Sequence, residues 1–178
     1  MQFPIKKIMT GLTLLVVSSF CFFCGLGAIQ TPVAHAEITQ MEESAEQMVY
    51  QSRHKLKDQY QDTWQVVAFK RITKEGANEL KLRLAGFPEA AHILHDHPLI
   101  IETPEGDYFQ VEDISEEAFT EGRDPRGNIG QYALSSVIDE LPTQVELLFS
   151  LPTEAENEIK LAVSPVYIQE WQELANKE

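Results

Sequence analysis

Cysteine is almost missing from this 178-residue chain, and its only two copies, Cys21 and Cys24, lie close to the beginning. A chain that lost this first segment would have no disulfide, no thiolate nucleophile and no cysteine metal ligand. Basic residues are also scarce: 14 lysines and arginines stand against 28 aspartates and glutamates, for a formal charge of −14. This balance argues against a nucleic-acid-binding protein, because that function needs a basic face to neutralise phosphates.

Acidic residues are missing altogether from positions 1–36. Lysines at positions 6 and 7 precede an apolar run over residues 8–29, and an Ala-His-Ala triplet occupies positions 34–36. This order is typical of a secretory signal peptide. We therefore predict cleavage after Ala36 and an exported protein with a single globular α+β domain over residues 37–178. The 22-residue run is also long enough to span a bilayer, so transmembrane anchoring is expected only if the signal stays uncleaved.

Cleavage at that point would leave 142 residues with a formal charge of −16. A domain of this size can bury about 68% of the surface of its unfolded chain. The exported domain can therefore be stable through its hydrophobic core, without disulfides.

Alternation of apolar and polar side chains predicts a sheet built from hairpins. Residues 47–57 fit either a helical stripe or an alternating strand, and the unmistakable strand at 63–69 favours a hairpin. Residues 79–85 place leucines on one side and Lys81 and Arg83 on the other, as in a half-buried antiparallel strand.

The rest of the chain continues this pattern. Residues 99–102 and 108–112 flank a Pro-Glu-Gly-Asp turn, and 145–150 and 158–163 predict two more strands. Periodic apolar residues predict a helix at 129–141 and a C-terminal helix beginning at Pro165, and the acidic segment 37–46 is compatible with a short helix. The predicted fold is α+β, mainly an antiparallel sheet of about seven strands.

Several stretches resemble one known family. They are YQSR at 50–53, WQVVAFKR at 64–71, LRLAGFP at 82–88 and the segment from Pro165 to Trp171. Together they are similar to the cyanobacterial domain-of-unknown-function family 3122, whose members are secreted. The resemblance implies the periplasm or thylakoid lumen of a photosynthetic bacterium. Because that family has no assigned activity, the resemblance implies no catalytic residues and no cofactor.

Three histidines, His92, His95 and His97, lie within six residues together with Asp96. Imidazole and carboxylate groups could bind a divalent transition metal. Their spacing matches neither a helical zinc protease nor a zinc finger, and a polar loop before a strand is the simpler interpretation. A metal-dependent enzyme is therefore the least favoured hypothesis, and we predict no cofactor.

Positive charge is concentrated between residues 53 and 83, which carry a formal charge of +4, whereas residues 84–122 hold ten acids and no base. If residues 47–85 form adjacent strands, five cations point away from the apolar face: Arg53, Lys55, Lys57, Lys81 and Arg83. Such a patch could dock an acidic protein or an anionic lipid surface. The alternative is an ordinary solvated face whose lysines prevent edge pairing.

Arg123 and Arg126 lie in a Gly-, Asp- and Pro-containing segment at 122–128 and could contact an anionic group. The spacing is not that of a phosphate-binding loop. A surface loop is the simpler interpretation of this composition.

From these observations we predict an exported, non-catalytic binding or accessory protein that serves a protein partner or a membrane-associated complex. It would bind through the basic strand face or through a cleft between sheet and helices. A carrier of a small apolar ligand, such as a lipid or pigment inside a curled sheet, is the second hypothesis.

Overall fold

Nine strands in two antiparallel sheets make up most of the part of the chain that a computed structural model describes, residues 38–44, 47–73, 76–87, 91–118, 127–155 and 157–177. The strands are β1 (Thr39–Ser44), β2 (Gln47–Lys57), β3 (Thr63–Thr73), β4 (Gly76–Gly86), β5 (Leu99–Glu102), β6 (Tyr108–Val111), β7 (Ile129–Tyr132), β8 (Leu147–Pro152) and β9 (Glu158–Val163). One α-helix, α1 (Pro165–Ala175), follows them, and short 3₁₀ turns occupy Ser115–Ala118 and Leu134–Ser136.

The first sheet has the order β1-β2-β3-β4-β7, and its centre consists of three eleven-residue strands. Antiparallel pairing brings the inward side chains of β3 and β4 together in register. The buried positions recur at every second residue, as at Trp64, Val66 and Ala68. Successive side chains of a strand point to opposite faces, so the intervening residues form an outer face.

The second sheet has the order β6-β5-β8-β9 and joins the first sheet at two isolated bridges. Asp58, just after β2, pairs with Leu161 of β9, and Asp113, just after β6, pairs with Tyr132 of β7. The inner faces of both sheets therefore contribute to one hydrophobic core.

Large aromatic side chains fill the core that the described residues form. Trp64 from the first sheet, Phe149 from the second and Trp171 from α1 are all fully buried. The rings of Phe149 and Trp171 lie 6.0 Å apart in a tilted arrangement, which is a favourable geometry for an aromatic pair. The helix thus completes the core of both sheets.

Local sequence explains where α1 begins and ends. The hydroxyl of Ser164 accepts a hydrogen bond from the amide of Val166, and Pro165 occupies the first turn, where its missing N–H costs nothing. At the other end, the Lys70 ammonium donates to the carbonyls of Ala175 (2.6 Å) and Lys177 (2.8 Å). A cation at this end stabilises the helix because its terminal carbonyls carry partial negative charge.

The predicted fold class is confirmed: the chain is α+β and mainly antiparallel, with a C-terminal helix. The strand predicted over residues 47–57 is β2, with the same bounds. The described residues contain nine strands rather than about seven, because β1 and β7 were not expected.

The helix predicted over residues 129–141 is wrong. Strand β7 pairs with β4, and the segment continues as a 3₁₀ turn rather than an α-helix. The edge of β4 offers backbone partners that outweigh a weak 3.6-residue pattern. Gly130 was the signal available in the sequence, because glycine is a poor helix former. In the structure, a Cβ at this position would lie 2.7 Å from the Tyr132 hydroxyl.

The short helix considered for residues 37–46 is also wrong where the chain is described. Residues 39–44 form β1, which pairs with β2 from Thr39↔Gln51 to Ser44↔Gln47, with a register shift between Glu42 and Ser44. Local composition favoured a helix, but the edge of β2 offers backbone hydrogen-bond partners to this segment. The sequence of the segment alone does not reveal those partners.

Candidate functional site

The five predicted cations lie on one face of the first sheet. Arg53 and Arg83 both pair with Val67, from opposite sides, so the three residues form a row across β2, β3 and β4. Lys55 pairs with Gln65 in the next row. Lys57 and Lys81 are at odd-numbered positions of the same paired strands and share this outer face.

Three of these cations, Arg53, Lys55 and Lys57, are exposed, and the first two are open to an external anion. The Arg53 guanidinium donates one long hydrogen bond of 3.4 Å to the neutral side chain of Gln51. Within the described residues, Lys55 forms no ion pair. We refer to Arg53 and Lys55 as the open cations.

The other three cations already contact other groups of the chain, and Lys57 and Lys81 do so at the surface. Lys57 donates to the Gln61 carbonyl at 2.7 Å, and Lys81 forms an ion pair with Glu117. Arg83 donates from Nε (3.1 Å) and Nη2 (2.6 Å) to the side-chain oxygen of Gln131. An external ligand would therefore have to displace these contacts, which makes the open cations the more available part of the patch.

A phenyl ring stabilises Arg83, one of the three engaged cations. Phe69 is only 6% exposed although it lies on the outer face, because the guanidinium carbons of Arg71 and Arg83 lie over its ring at 5.4 and 5.3 Å. Cations over an aromatic ring are attracted by its electron-rich face. Burial, and then the charge of Arg71, lower the pKa of Arg83. Its two hydrogen bonds to Gln131 and its place over Phe69 make it a fixed part of the sheet surface.

A depression of about 250 Å³ adjoins Lys55, one of the open cations. It is lined by Lys55, Thr63, Gln65, Ala85, Gly86 and Phe87, and we call it the Lys55 pocket. The Phe87 side chain, 65% exposed, forms one wall. The Gly86 amide donates to the Asn128 carbonyl (2.9 Å), and the Asn128 side chain donates to the Gly86 carbonyl (2.7 Å), so the backbone before Phe87 is held in place.

The three histidines of the predicted metal site have separate partners. His92 Nδ1 lies 3.8 Å from Glu154 Oε2, and His95 Nδ1 lies 3.4 Å from Asp113 Oδ2. His97 Nδ1 lies 3.1 Å from the His95 carbonyl. The segment has a turn at His95–Asp96 and no helix, so the imidazoles do not share a helix face. Among the described residues, no three His, Cys, Asp or Glu side chains are placed to hold an ion.

A buried polar cluster links β2 to α1, and the sequence analysis did not anticipate it. His54 Nε2 lies 2.9 Å from Ser52 Oγ and 3.1 Å from Glu170 Oε2, and the imidazole stacks on Tyr167 at 3.6 Å. The alternation of β2 places Ser52 and His54 inward, but Glu170 is 116 residues away in the chain. No local pattern could indicate that pairing.

This cluster contains serine, histidine and glutamate but lacks the geometry of a hydrolytic triad. In a triad the acid binds one imidazole nitrogen and the serine binds the other, so that a proton can pass along the chain of groups. Here both oxygens contact the same nitrogen, and Ser52 is fully buried. The arrangement ties the helix to the sheet and offers no activated nucleophile.

Protein stability is expected to fall as the pH is lowered below about 6.5, the ordinary pKa of histidine. Burial lowers the pKa of His54, although the nearby charge and hydrogen bond of Glu170 oppose this shift. The unfolded chain therefore binds a proton more readily than the folded protein in this range, and each unit of pKa difference is worth at most about 1.4 kcal/mol. Urea unfolding between pH 8 and 5 measures the effect.

The matched variant is His54→Gln, which should flatten this part of the pH profile whatever its effect on absolute stability. If wild-type stability instead rose as the pH fell, the charge of Glu170 would outweigh burial.

Two predictions lie outside the described residues. They are the loop arginines, Arg123 and Arg126, and the signal peptide over residues 1–36. In the described part of the chain, no helix is both long and apolar enough to cross a membrane.

Comparison with known proteins identifies a family. Residues 36–174 match the model of a family described as a protein of unknown function, DUF3122, so the chain belongs to that family. No curated protein and no solved structure matches the chain. The site must therefore be interpreted from its own geometry.

Proposed function

We propose that this DUF3122 protein is an exported, non-catalytic binding protein that docks an acidic protein partner on the outer face of its first sheet. The observation that carries the proposal is the pair of open cations on a face shared by six basic residues, the five predicted cations and Arg71. This face belongs to a chain that is otherwise strongly acidic. The compartment we propose is the periplasm or the thylakoid lumen.

The charge distribution supports a docking role. The chain carries a formal charge of −14, yet the strands from residue 53 to residue 83 lie in a segment of charge +4. A local positive area on a negative molecule orients an acidic partner during approach and repels it elsewhere. The result is one favoured orientation rather than general adhesion.

The rigidity of the surface is a second support. Strands β2 and β3 pair along all eleven of their residues, and β3 and β4 pair from Trp64↔Gly86 to Thr73↔Gly76. The open cations therefore stand on a fixed framework. A partner that binds a fixed framework loses less conformational entropy than one that must order a loop.

Export is supported by the order of the first 36 residues, with lysines, an apolar run and Ala-His-Ala. The family match begins at residue 36, next to the proposed cleavage point. The buried Ser52–His54–Glu170 cluster is interpreted as a structural link between β2 and α1, because its contacts converge on one nitrogen.

The carrier hypothesis has less support. It would require space between the sheets, whereas Trp64, Phe149 and Trp171 pack there with no exposed surface. The docking proposal needs no interior space.

Affinity capture with a tagged full-length chain tests the proposed function. We expect an acidic protein to be retained at about 0.05 M salt and released at about 0.5 M, because salt screens exposed charge pairs. The double variant Arg53→Glu/Lys55→Glu should retain at least about tenfold less of it, since two attractions become repulsions.

The matched control is Lys160→Glu, which reverses an exposed lysine on β9 of the other sheet. It should retain the partner at the wild-type level. Equal retention of the acidic protein by the wild type, the double variant and Lys160→Glu would contradict docking on the basic face.

A further inference from the structure

We infer that the Lys55 pocket receives one apolar side chain of the acidic partner, flanked by carboxylates that meet the open cations. This inference rests on the proposed function and specifies the chemistry of the segment that binds. The occupant is a short protein segment rather than a small molecule or a bilayer.

The volume of the pocket limits what it can hold. Sites for drug-sized ligands usually enclose about 300–1,000 Å³, and the Lys55 pocket offers about 250 Å³. A cavity of about 150 Å³ is enough for a benzene molecule. The pocket therefore has room for one aromatic or branched aliphatic side chain, and it is smaller than the usual site of a drug-sized ligand.

The lining of the pocket is suited to an apolar group with a charged neighbour. Ala85, Gly86 and the ring of Phe87 supply the apolar surface, while Lys55, Thr63 and Gln65 supply the polar side. Interfaces commonly seat one apolar anchor in such a pocket and surround it with a polar rim. Lys55 stands at the rim, where it would meet a carboxylate beside the anchor.

The position of Arg53 adds a spacing rule. It lies two residues from Lys55 on the same face of β2, a separation of about 7 Å along a strand. An extended partner segment has the same rise per residue. A partner whose anchor fills the pocket would therefore place an acidic side chain near Arg53 about two residues along.

A protein segment fits the charges better than an anionic membrane. A bilayer is flat and would also face the acidic remainder of the molecule, which carries ten acids and no base over residues 84–122 alone. A short segment contacts the basic face only. Because charge interactions fade over about 8 Å at physiological salt, the segment avoids most of that repulsion.

Peptide binding to the full-length chain tests the inference. The probes are two pentapeptides, each with two glutamates on both sides of a central phenylalanine or alanine, titrated by NMR. We expect the phenylalanine peptide to bind about tenfold more tightly, because a large apolar side chain leaves water. Lys55 and Phe87 amides should shift with that peptide.

Two variants isolate the pocket from the charges. Phe87→Ala removes a wall, and Ala85→Gln fills the pocket without adding charge. Either variant should bind the phenylalanine peptide about as tightly as the alanine peptide. Binding of the alanine peptide itself should stay at the wild-type level. The matched control, Tyr108→Ala, removes an equally exposed aromatic ring (67%) from β6 and should keep the tenfold preference.

The outcomes separate the pocket from the proposed function. Equal binding of the two peptides to the wild type, abolished by Arg53→Glu/Lys55→Glu, would overturn the pocket and leave the docking face standing. Absence of binding by either peptide would overturn the pocket, while the salt-dependent capture of an acidic protein decides whether the docking face stands. Binding to vesicles of one-quarter phosphatidylglycerol in phosphatidylcholine that is lost in Phe87→Ala, without peptide preference, would assign the pocket to a bilayer and overturn the inference.

Discussion

Replacing Asp58 with alanine is expected to lower the free energy of unfolding by about 3 kcal/mol, because three hydrogen-bond donors, one of them the buried Trp64 indole, would lose their acceptor. Asp58 is 3% exposed and lies at the start of the turn between β2 and β3. Its Oδ1 accepts from the amides of Tyr60 (2.8 Å) and Asp62 (2.9 Å), and its Oδ2 accepts from the Trp64 indole (2.9 Å). The turn it supports includes Gln61 at φ 71°, a left-handed conformation that few side chains favour.

Urea unfolding of Asp58→Ala measures this loss, and Asp62→Ala is its matched control. The Asp62 side chain is exposed in the same turn, so its removal should change stability by less than about 0.5 kcal/mol. Similar small losses in both variants would show that water replaces the carboxylate of Asp58 without penalty.

Replacing Trp171 with alanine is expected to lower the free energy of unfolding by about 4 kcal/mol, which is usual for the removal of a buried tryptophan. The side chain is fully buried in α1 and packs against Phe149 and against His54, whose ring centre lies 6.5 Å away. Among the described residues its indole nitrogen has no hydrogen-bond partner. The loss therefore comes from packing, and Trp171→Phe should cost well under half as much.

Glu173→Ala is the control on the same helix, because Glu173 is exposed. Chemical denaturation should place it within about 0.5 kcal/mol of the wild type. If Trp171→Ala were as stable as Glu173→Ala, the helix would not be an integral part of the core.

The sheet face could be predicted because a strand has a strict period of two. Once residues 47–57 and 79–85 are strands, Arg53 and Arg83 must point to one side and the leucines of β4 to the other. The register of β2, β3 and β4 then brings the two arginines into one row with Val67. Local alternation was sufficient for this part of the fold.

The division of that face into open and engaged cations could not be predicted. Lys81 meets Glu117, 36 residues later, and Arg83 meets Gln131, 48 residues later. The same holds for the Lys55 pocket, which requires β2, β3 and the end of β4 to lie side by side. These contacts depend on how distant segments pack, and no spacing in the chain encodes them.

Strand β7 shows how a tertiary partner overrides a local preference. Its segment has apolar residues at helical spacing. However, the edge of β4 has backbone N–H and C=O groups that need partners, and the backbone of Ile129–Tyr132 supplies them. The edge strand β1 forms where the sequence favoured a helix, because it pairs with the edge of β2.

By itself, the sequence determined the fold class, the central hairpins, the C-terminal helix and the side of the sheet that carries positive charge. It could do so because hydrophobic periodicity, turn residues and helix caps act over a few neighbouring positions. Only the tertiary structure decided which edges became β1 and β7, which basic side chains remain open, and where the Lys55 pocket and the His54–Glu170 contact form. Each of these depends on groups far apart in the chain, which only close packing brings within contact distance.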